Sequence, residues 1–207
     1  MERNRQEKKG RGRPVAIPVQ ERRVRILESA EKLFARNGYA ATSMADIAKD
    51  TEMSKRTIYS CFETKEMLFQ ALVEDAGAFV PPELSAETPP RESIERILTA
   101  LANYVLSTRH VSMTRLVIAE ADQFPEIREH YYEQGIKRGK DLLENRLSYL
   151  MEKGEIKATP LEETADLLFG AALGTTLLET LNRRRDFGKE AMAAKIKRAV
   201  ALLLEVV

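Results

Sequence analysis

Lys55, Arg56, Thr57 and Tyr59 place two cations and two hydroxyls within five consecutive positions, directly after Ser54. Ser54 is of helix N-cap type, and Ile58 and Phe62 supply inward apolar positions behind it. The polar groups therefore fall on the exposed first turn of a short helix. The chemistry on offer is recognition. Arginine can pair bidentately with guanine and a threonine methyl suits thymine, each good pair discriminating by ~1–3 kcal/mol. Arg56 and Thr57 are accordingly read as base readers. Thr42, Ser43, Lys55, Tyr59, Thr64 and Lys65 are read as phosphate contacts, which hold register without reading sequence. Thr42, Ser43 and Thr64 also suit helix capping, and the two roles are compatible because a capped helix N-terminus is itself an anion site.

Several elements must position these groups. Ser43 and Asp46 form a capping-box pattern, and Met44, Ile47, Ala48 and Thr51 then follow at i, i+3, i+4 and i+7. A tight turn separates this helix from Lys55 to Cys61, giving a helix-turn-helix. Val19 to Asn37 braces the pair with an inner stripe of Leu27, Ala30, Leu33 and Phe34, and Gly38 follows as its C-cap glycine. Arg22, Arg23 and Arg25 near its start are placed to reach phosphate. A fourth helix runs from Thr64 through Leu68, Ala71 and Leu72 to about Phe79, before Pro81-Pro82 stops it. It leads out of the DNA-reading domain and into the next.

Residues 21 to 72 resemble the N-terminal domain of the TetR family of transcriptional regulators. The resemblance lies in ARNGYAATS and in ADIAKDTEMSKRTIYSCFETKEMLF. Glu52 stands where the family usually has a turn glycine, and Cys61 where a larger polar or aromatic residue is common. Farther on, RLVIAEADQFPEIREHYYEQG (Arg115 to Gly135) resembles the AefR-like branch. The resemblance implies a homodimer on a palindromic operator in double-stranded DNA, and a C-terminal domain that dimerises and encloses a small-molecule effector pocket.

Composition agrees with that class. At 207 residues, 43% hydrophobic and 31% charged, the chain suits a helix-rich protein with a substantial core. A single cysteine excludes an internal disulfide, and no apolar run approaches the ~20 residues of a membrane span. A cytoplasmic location with no membrane partner is expected. The net charge of +1 conceals an asymmetry: residues 1–66 carry 15 Lys and Arg against 10 Asp and Glu, and the remainder is acidic. The positive end coincides with the helix-turn-helix.

The expected architecture is all-α with about nine helices. A basic arm spans 1–18, the helix-turn-helix domain 19–66, and a helical effector-binding and dimerisation domain 67–207. In the arm, Arg11 and Arg13 lie in GRGRP, a phrase that suits an A·T-rich minor groove. The same residues read equally as a solvated tail giving nonspecific phosphate attraction. Helices are expected over Arg91 to Thr108, Ser112 to about Asp122, Glu126 to Lys153, Leu161 to Asn182 and Phe187 to Val206. Leu167, Gly170, Gly174, Leu177, Leu178 and Leu181 are the expected dimer face, with an intramolecular core as the other reading. Tyr104, Met113, Phe124, Tyr131, Tyr132 and Phe169 are candidate pocket residues for a hydrophobic or aromatic effector, or plain core. His110 and His130 read as surface or capping histidines. Cys61 reads as a small cysteine packed behind Phe62, with a thiol switch as the competing role.

Neither a nucleophile–base pair nor a phosphate-binding glycine loop or metal-ligand spacing is present in the sequence, so no catalytic residue, metal or cofactor is assigned. Beside a ligand-responsive repressor, an architectural factor occupying A·T-rich DNA remains open.

Overall fold

The computed structural model describes residues 17–75, 79–157, 160–183 and 188–207, and these are helical with one isolated antiparallel bridge, Ile156 to Val206. The basic arm, with Arg11 and Arg13, lies outside the described residues. The head comprises α1 (Val19–Asn37), α2 (Met44–Asp50), α3 (Lys55–Cys61) and α4 (Lys65–Asp75). The body comprises α5 (Pro90–Val105), α6 (Thr108–Glu120), α7 (Pro125–Tyr131), α8 (Arg138–Glu152), α9 (Leu161–Phe169), α10 (Thr175–Leu181) and α11 (Lys189–Leu203).

Two of the expected long helices contain a π turn, over Tyr132–Lys137 between α7 and α8 and over Gly170–Gly174 between α9 and α10. With each π turn taken as part of one rod, the described residues form nine rods, in keeping with an all-α fold. The rods begin where the local chemistry allows. Ser43 and Asp46 make the full capping box, Ser54 accepts from the Thr57 amide, and Ser107 accepts from that of His110. Pro90 and Pro125 occupy first-turn positions, where the missing amide hydrogen would have had no partner.

Two cores form. The first joins the head to α6 and α7: Phe34, Tyr39, Ile47, Ile58 and Leu72 share it with Met113, Leu116 and Ile127. The second lies among α5, α8, α9, the second π turn and α11, around Ile97, Leu98, Leu147, Leu168 and Ile196. Helices α6 and α7 are therefore the part of the body built into the head.

Candidate nucleic-acid interface and ligand cavity

Buried Ile58 and Phe62 anchor α3 in the head core and turn the opposite side outward. Lys55 and Arg56 are exposed on its first turn, and Tyr59 is 49% exposed one turn later. Thr57 is half-buried, with its hydroxyl 2.8 Å from that of Ser54. Ser43 is exposed at the start of α2, where its hydroxyl and amide both engage Asp46. These hydrogen bonds hold the Asp46 carboxyl below the usual carboxylate range. Thr64 is exposed and caps α4, accepting from the Met67 amide at 3.1 Å.

Two expected phosphate contacts face inward instead. Thr42 is 1% exposed and its hydroxyl donates to the Gly38 carbonyl at 2.8 Å, closing the C-terminus of α1. Lys65 donates to the carbonyls of Tyr39 at 2.8 Å and Thr42 at 3.1 Å, with its ammonium 4.2 Å from the Tyr39 ring centroid. The reason is shared. The stretch 38–42 after α1 passes the start of α4, and its carbonyls without helical partners need donors. The α1 arginines are also engaged: Arg22 with the Ile17 carbonyl, Arg25 with Glu21, and Arg23 over the Phe62 ring at 4.4 Å. Cys61 is half-buried against the head core, and its carbonyl accepts from Arg23 at 3.4 Å.

The turn between α2 and α3 carries Glu52 at φ 55°, in the left-handed region. The sequence thus places a side chain where glycine would be unstrained.

In the body, a cavity of about 170 Å3 opens between α5, α6 and the two π-containing rods. Its wall is mostly apolar. Of the expected pocket residues, Tyr104, Tyr131 and Phe169 line it. Met113 and Phe124 instead join the first core, Phe124 meeting the Tyr39 ring edge-on at 4.8 Å, and Tyr132 is exposed. All are aromatic or long apolar residues, so composition alone does not separate those facing the cavity from those facing the head. Leu177, expected at a dimer face, also lines the cavity. Leu167 and Leu178 are 58% and 62% exposed, and Gly170 and Gly174 have open space beside them. Leu181 is half-buried, and its carbonyl accepts from Arg115 at 2.8 Å.

His110 departs furthest from expectation. It is 5% exposed, lines the cavity, and its Nε2 lies 2.8 Å from the Tyr131 hydroxyl. Burial holds its imidazole down at about 4, so it is neutral at pH 7, and burial pushes the Tyr131 phenol well above its usual range. His130 is half-buried rather than capping a helix, with Nε2 unpartnered among the described residues. Among the described residues, no group of three or more His, Cys, Asp or Glu is placed to hold a metal. Nor is any helix among them long and apolar enough to cross a membrane.

Helix α6 connects these two regions. Arg109 pairs with Glu31 of α1 and Asp75 of α4, both at 3.0 Å, and Glu120 accepts from the amides of Tyr39 and Ala40. Between those ends, the same helix sets His110 and Thr114 into the cavity wall.

Residues 92–206 match the C-terminal domain of AefR-like transcriptional repressors, and residues 26–72 match the bacterial regulatory proteins of the TetR family. The chain belongs to the TetR family. The two matched families are described as transcriptional repressors and bacterial regulatory proteins. This TetR-family chain is 42% identical over 67 residues to the transcriptional repressor ComR of Escherichia coli strain K12, covering 32% of this chain and 30% of ComR. The chain spans less than half the length of the curated relatives it first matches. Two solved structures share the fold. The flavonoid-responsive regulator FrrA has a TM-score of 0.72 at 24% identity, over 89% of this chain and 95% of FrrA. A regulator from Saccharomonospora viridis in complex with choline has a TM-score of 0.68 at 22% identity, over 91% of this chain and 99% of that one.

Proposed function

We propose that this protein is a cytoplasmic homodimeric repressor, held on a palindromic operator by two copies of α3 and released by a small apolar molecule in the C-terminal cavity. One observation carries the reading: α6 is tied to the head by Arg109 and Glu120 and lines the cavity between them. A ligand that prefers one position of α6 must, in proportion to that preference, also prefer one position of the head. FrrA is flavonoid-responsive and the S. viridis neighbour holds choline, which supports a small-molecule role for the same fold.

At the DNA, Arg56 and Thr57 read bases, while Ser43, Lys55, Tyr59 and Thr64 hold the backbone. The exposure of Ser43, Lys55, Arg56, Tyr59 and Thr64, with Thr57 half-buried beside Ser54, supports this division, whereas Thr42 and Lys65 act as internal braces. Exposed Leu167, Gly170 and Leu178, with half-buried Gly174, form the dimer face, where small residues permit close approach. A dimer would read half-sites about 34 Å apart or a multiple of that spacing.

The test is a salt series of full-length protein and a version starting at Val19, binding the DNA upstream of its own gene. One footprinted palindrome with two protomers supports the repressor. Many A·T-rich footprints that vanish with the arm support the architectural role instead. No sequence preference in either form would sink the repressor reading.

A further inference from the structure

The polar end of the cavity is nearly closed on itself. The Thr114 hydroxyl donates to the His110 carbonyl at 2.9 Å and also meets the Tyr131 hydroxyl. A threonine has one hydroxyl proton, so its oxygen accepts from Tyr131. The Tyr131 proton is thereby engaged, and its oxygen accepts in turn from Nε2–H of His110. All three donors of this triad point at one another.

Tyr104 stands apart from that circuit. Its ring centroid is 4.4 Å from that of His110, with Phe79 meeting it edge-on at 5.9 Å. Its hydroxyl has no hydrogen-bond partner among the described residues. Tyr104 is half-buried and its hydroxyl is not sealed away, so its acceptor must come from water or from a ligand, none being supplied by the described residues. Gly135 keeps the space beside it open: a Cβ there would lie 3.9 Å from the Tyr104 hydroxyl and 3.8 Å from Cε1 of His110. Of the charges nearby, Lys140 pairs with Glu162 at 3.1 Å and Asp166 at 3.2 Å, while Arg138, whose charge reaches Tyr104, is exposed and screened by solvent. Size sets a further limit. A dry apolar cavity of about 150 Å3 holds one benzene, so this cavity of about 170 Å3 suits a single ring with a short substituent.

We propose that the cavity takes an uncharged molecule with one aromatic ring and a carbonyl or ether oxygen that accepts from the Tyr104 hydroxyl. The rings of Tyr104, Tyr131 and Phe169 supply flat apolar walls for it. The neutral triad offers a charged ligand no counter-ion. This assignment rests on the reading of the cavity as the effector site, and its test separates the two.

Full-length wild type and Tyr104→Phe are titrated calorimetrically with acetophenone, ethylbenzene, benzoate and benzyltrimethylammonium. Release from the protein's upstream DNA is followed in parallel. Because the Tyr104 hydroxyl has no partner among the described residues, its removal should leave the fold intact. Acetophenone is expected to bind wild type about ten-fold more tightly than ethylbenzene, the worth of one hydrogen bond. Tyr104→Phe should abolish that gap without weakening ethylbenzene, and neither ion should bind. Gly135→Ala, whose methyl makes only ordinary contacts, should weaken acetophenone by narrowing the same space. The proposal is overturned if the gap persists in Tyr104→Phe, if benzyltrimethylammonium binds best, or if no probe binds. Tyr104-dependent binding that leaves DNA binding unchanged keeps the ligand class and removes the effector role. Equal release by acetophenone and ethylbenzene keeps the effector role and removes the ligand class.

Discussion

The Glu120 carboxylate accepts the backbone N–H of Tyr39 at 2.9 Å, joining the end of α6 to the turn after α1 across 81 positions of sequence. The same oxygen lies 3.3 Å from the Ala40 amide and 2.8 Å from where a Cβ on Gly38 would sit. Gly38, at φ 87°, leaves both the backbone conformation and the space that this contact needs. Glu120→Ala should cost ~1 kcal/mol of stability through the lost acceptor, measured as a lower urea midpoint. It should also weaken ligand-induced DNA release while leaving ligand affinity of the free protein within about two-fold. Unchanged release would mean that coupling takes another route.

Lys65 serves as an internal brace, and this gives a clean contrast with a phosphate contact. Lys65→Met should destabilise the head by ~2 kcal/mol, because charge-assisted bonds to the Tyr39 and Thr42 carbonyls are lost. The salt slope of DNA binding should stay as in wild type. Lys55→Ala should show the reverse: unchanged stability, uniformly weaker binding, and a slope smaller by about one. A reduced slope for Lys65→Met would return it to the phosphate contacts.

Glu52 pays a conformational penalty that glycine would avoid. Glu52→Gly should relieve ~1 kcal/mol of left-handed strain and return part of it through a freer unfolded chain. The expected net gain is ~0.5 kcal/mol, seen as a higher chemical-denaturation midpoint. A loss would show that the Glu52 side chain contributes contacts outweighing the strain.

His110 sets a pH dependence. Its native value of about 4 lies below the ordinary 6.5, so the unfolded chain binds a proton across that interval and the native state does not. Stability is therefore full above pH 6.5 and falls as pH drops towards 4, by roughly 3 kcal/mol in all. Acidic groups such as Asp46 and Asp50, whose values are lowered, add their own losses at lower pH. Comparing urea midpoints of wild type and His110→Gln across the interval cancels those shared contributions. Parallel curves would contradict a buried neutral imidazole.

Much of the head was legible because its determinants are local. The Ser43–Asp46 and Ser54–Thr57 contacts span three positions, and the stripes around Ile47 and Leu33 repeat at helical spacing. What sequence left open depends on distance. Lys65 meets carbonyls 23 and 26 positions away, and His110 meets Tyr131 across 21. No local pattern tells a buried histidine from a capping one. Met113 and Tyr131 both fit helical stripes, yet only Tyr131 reaches the cavity: α6 turns His110 and Thr114 to the cavity and Met113 to the head core, and which face meets which is set by tertiary packing. The π turns were equally invisible, since apolar positions continue through Tyr132 and Gly170 without interruption.

Those π turns set where the chain length can vary. Their hydrogen bonds reach one residue farther than in an α-helix, so each turn accommodates an additional residue. Removing one residue from Tyr132–Lys137 would let the rod close as a plain α-helix with the faces on either side nearly in register. Removing one between Gly139 and Leu143, inside α8, would instead rotate Tyr131 relative to Leu143 by about 100°. A single-codon deletion in the π turn is therefore expected to keep both helix content and the cavity wall, whereas the same deletion inside α8 would keep helix content and lose the site. The spacing between Tyr131 and Gly139 can thus change by one residue at the π turn without moving the wall.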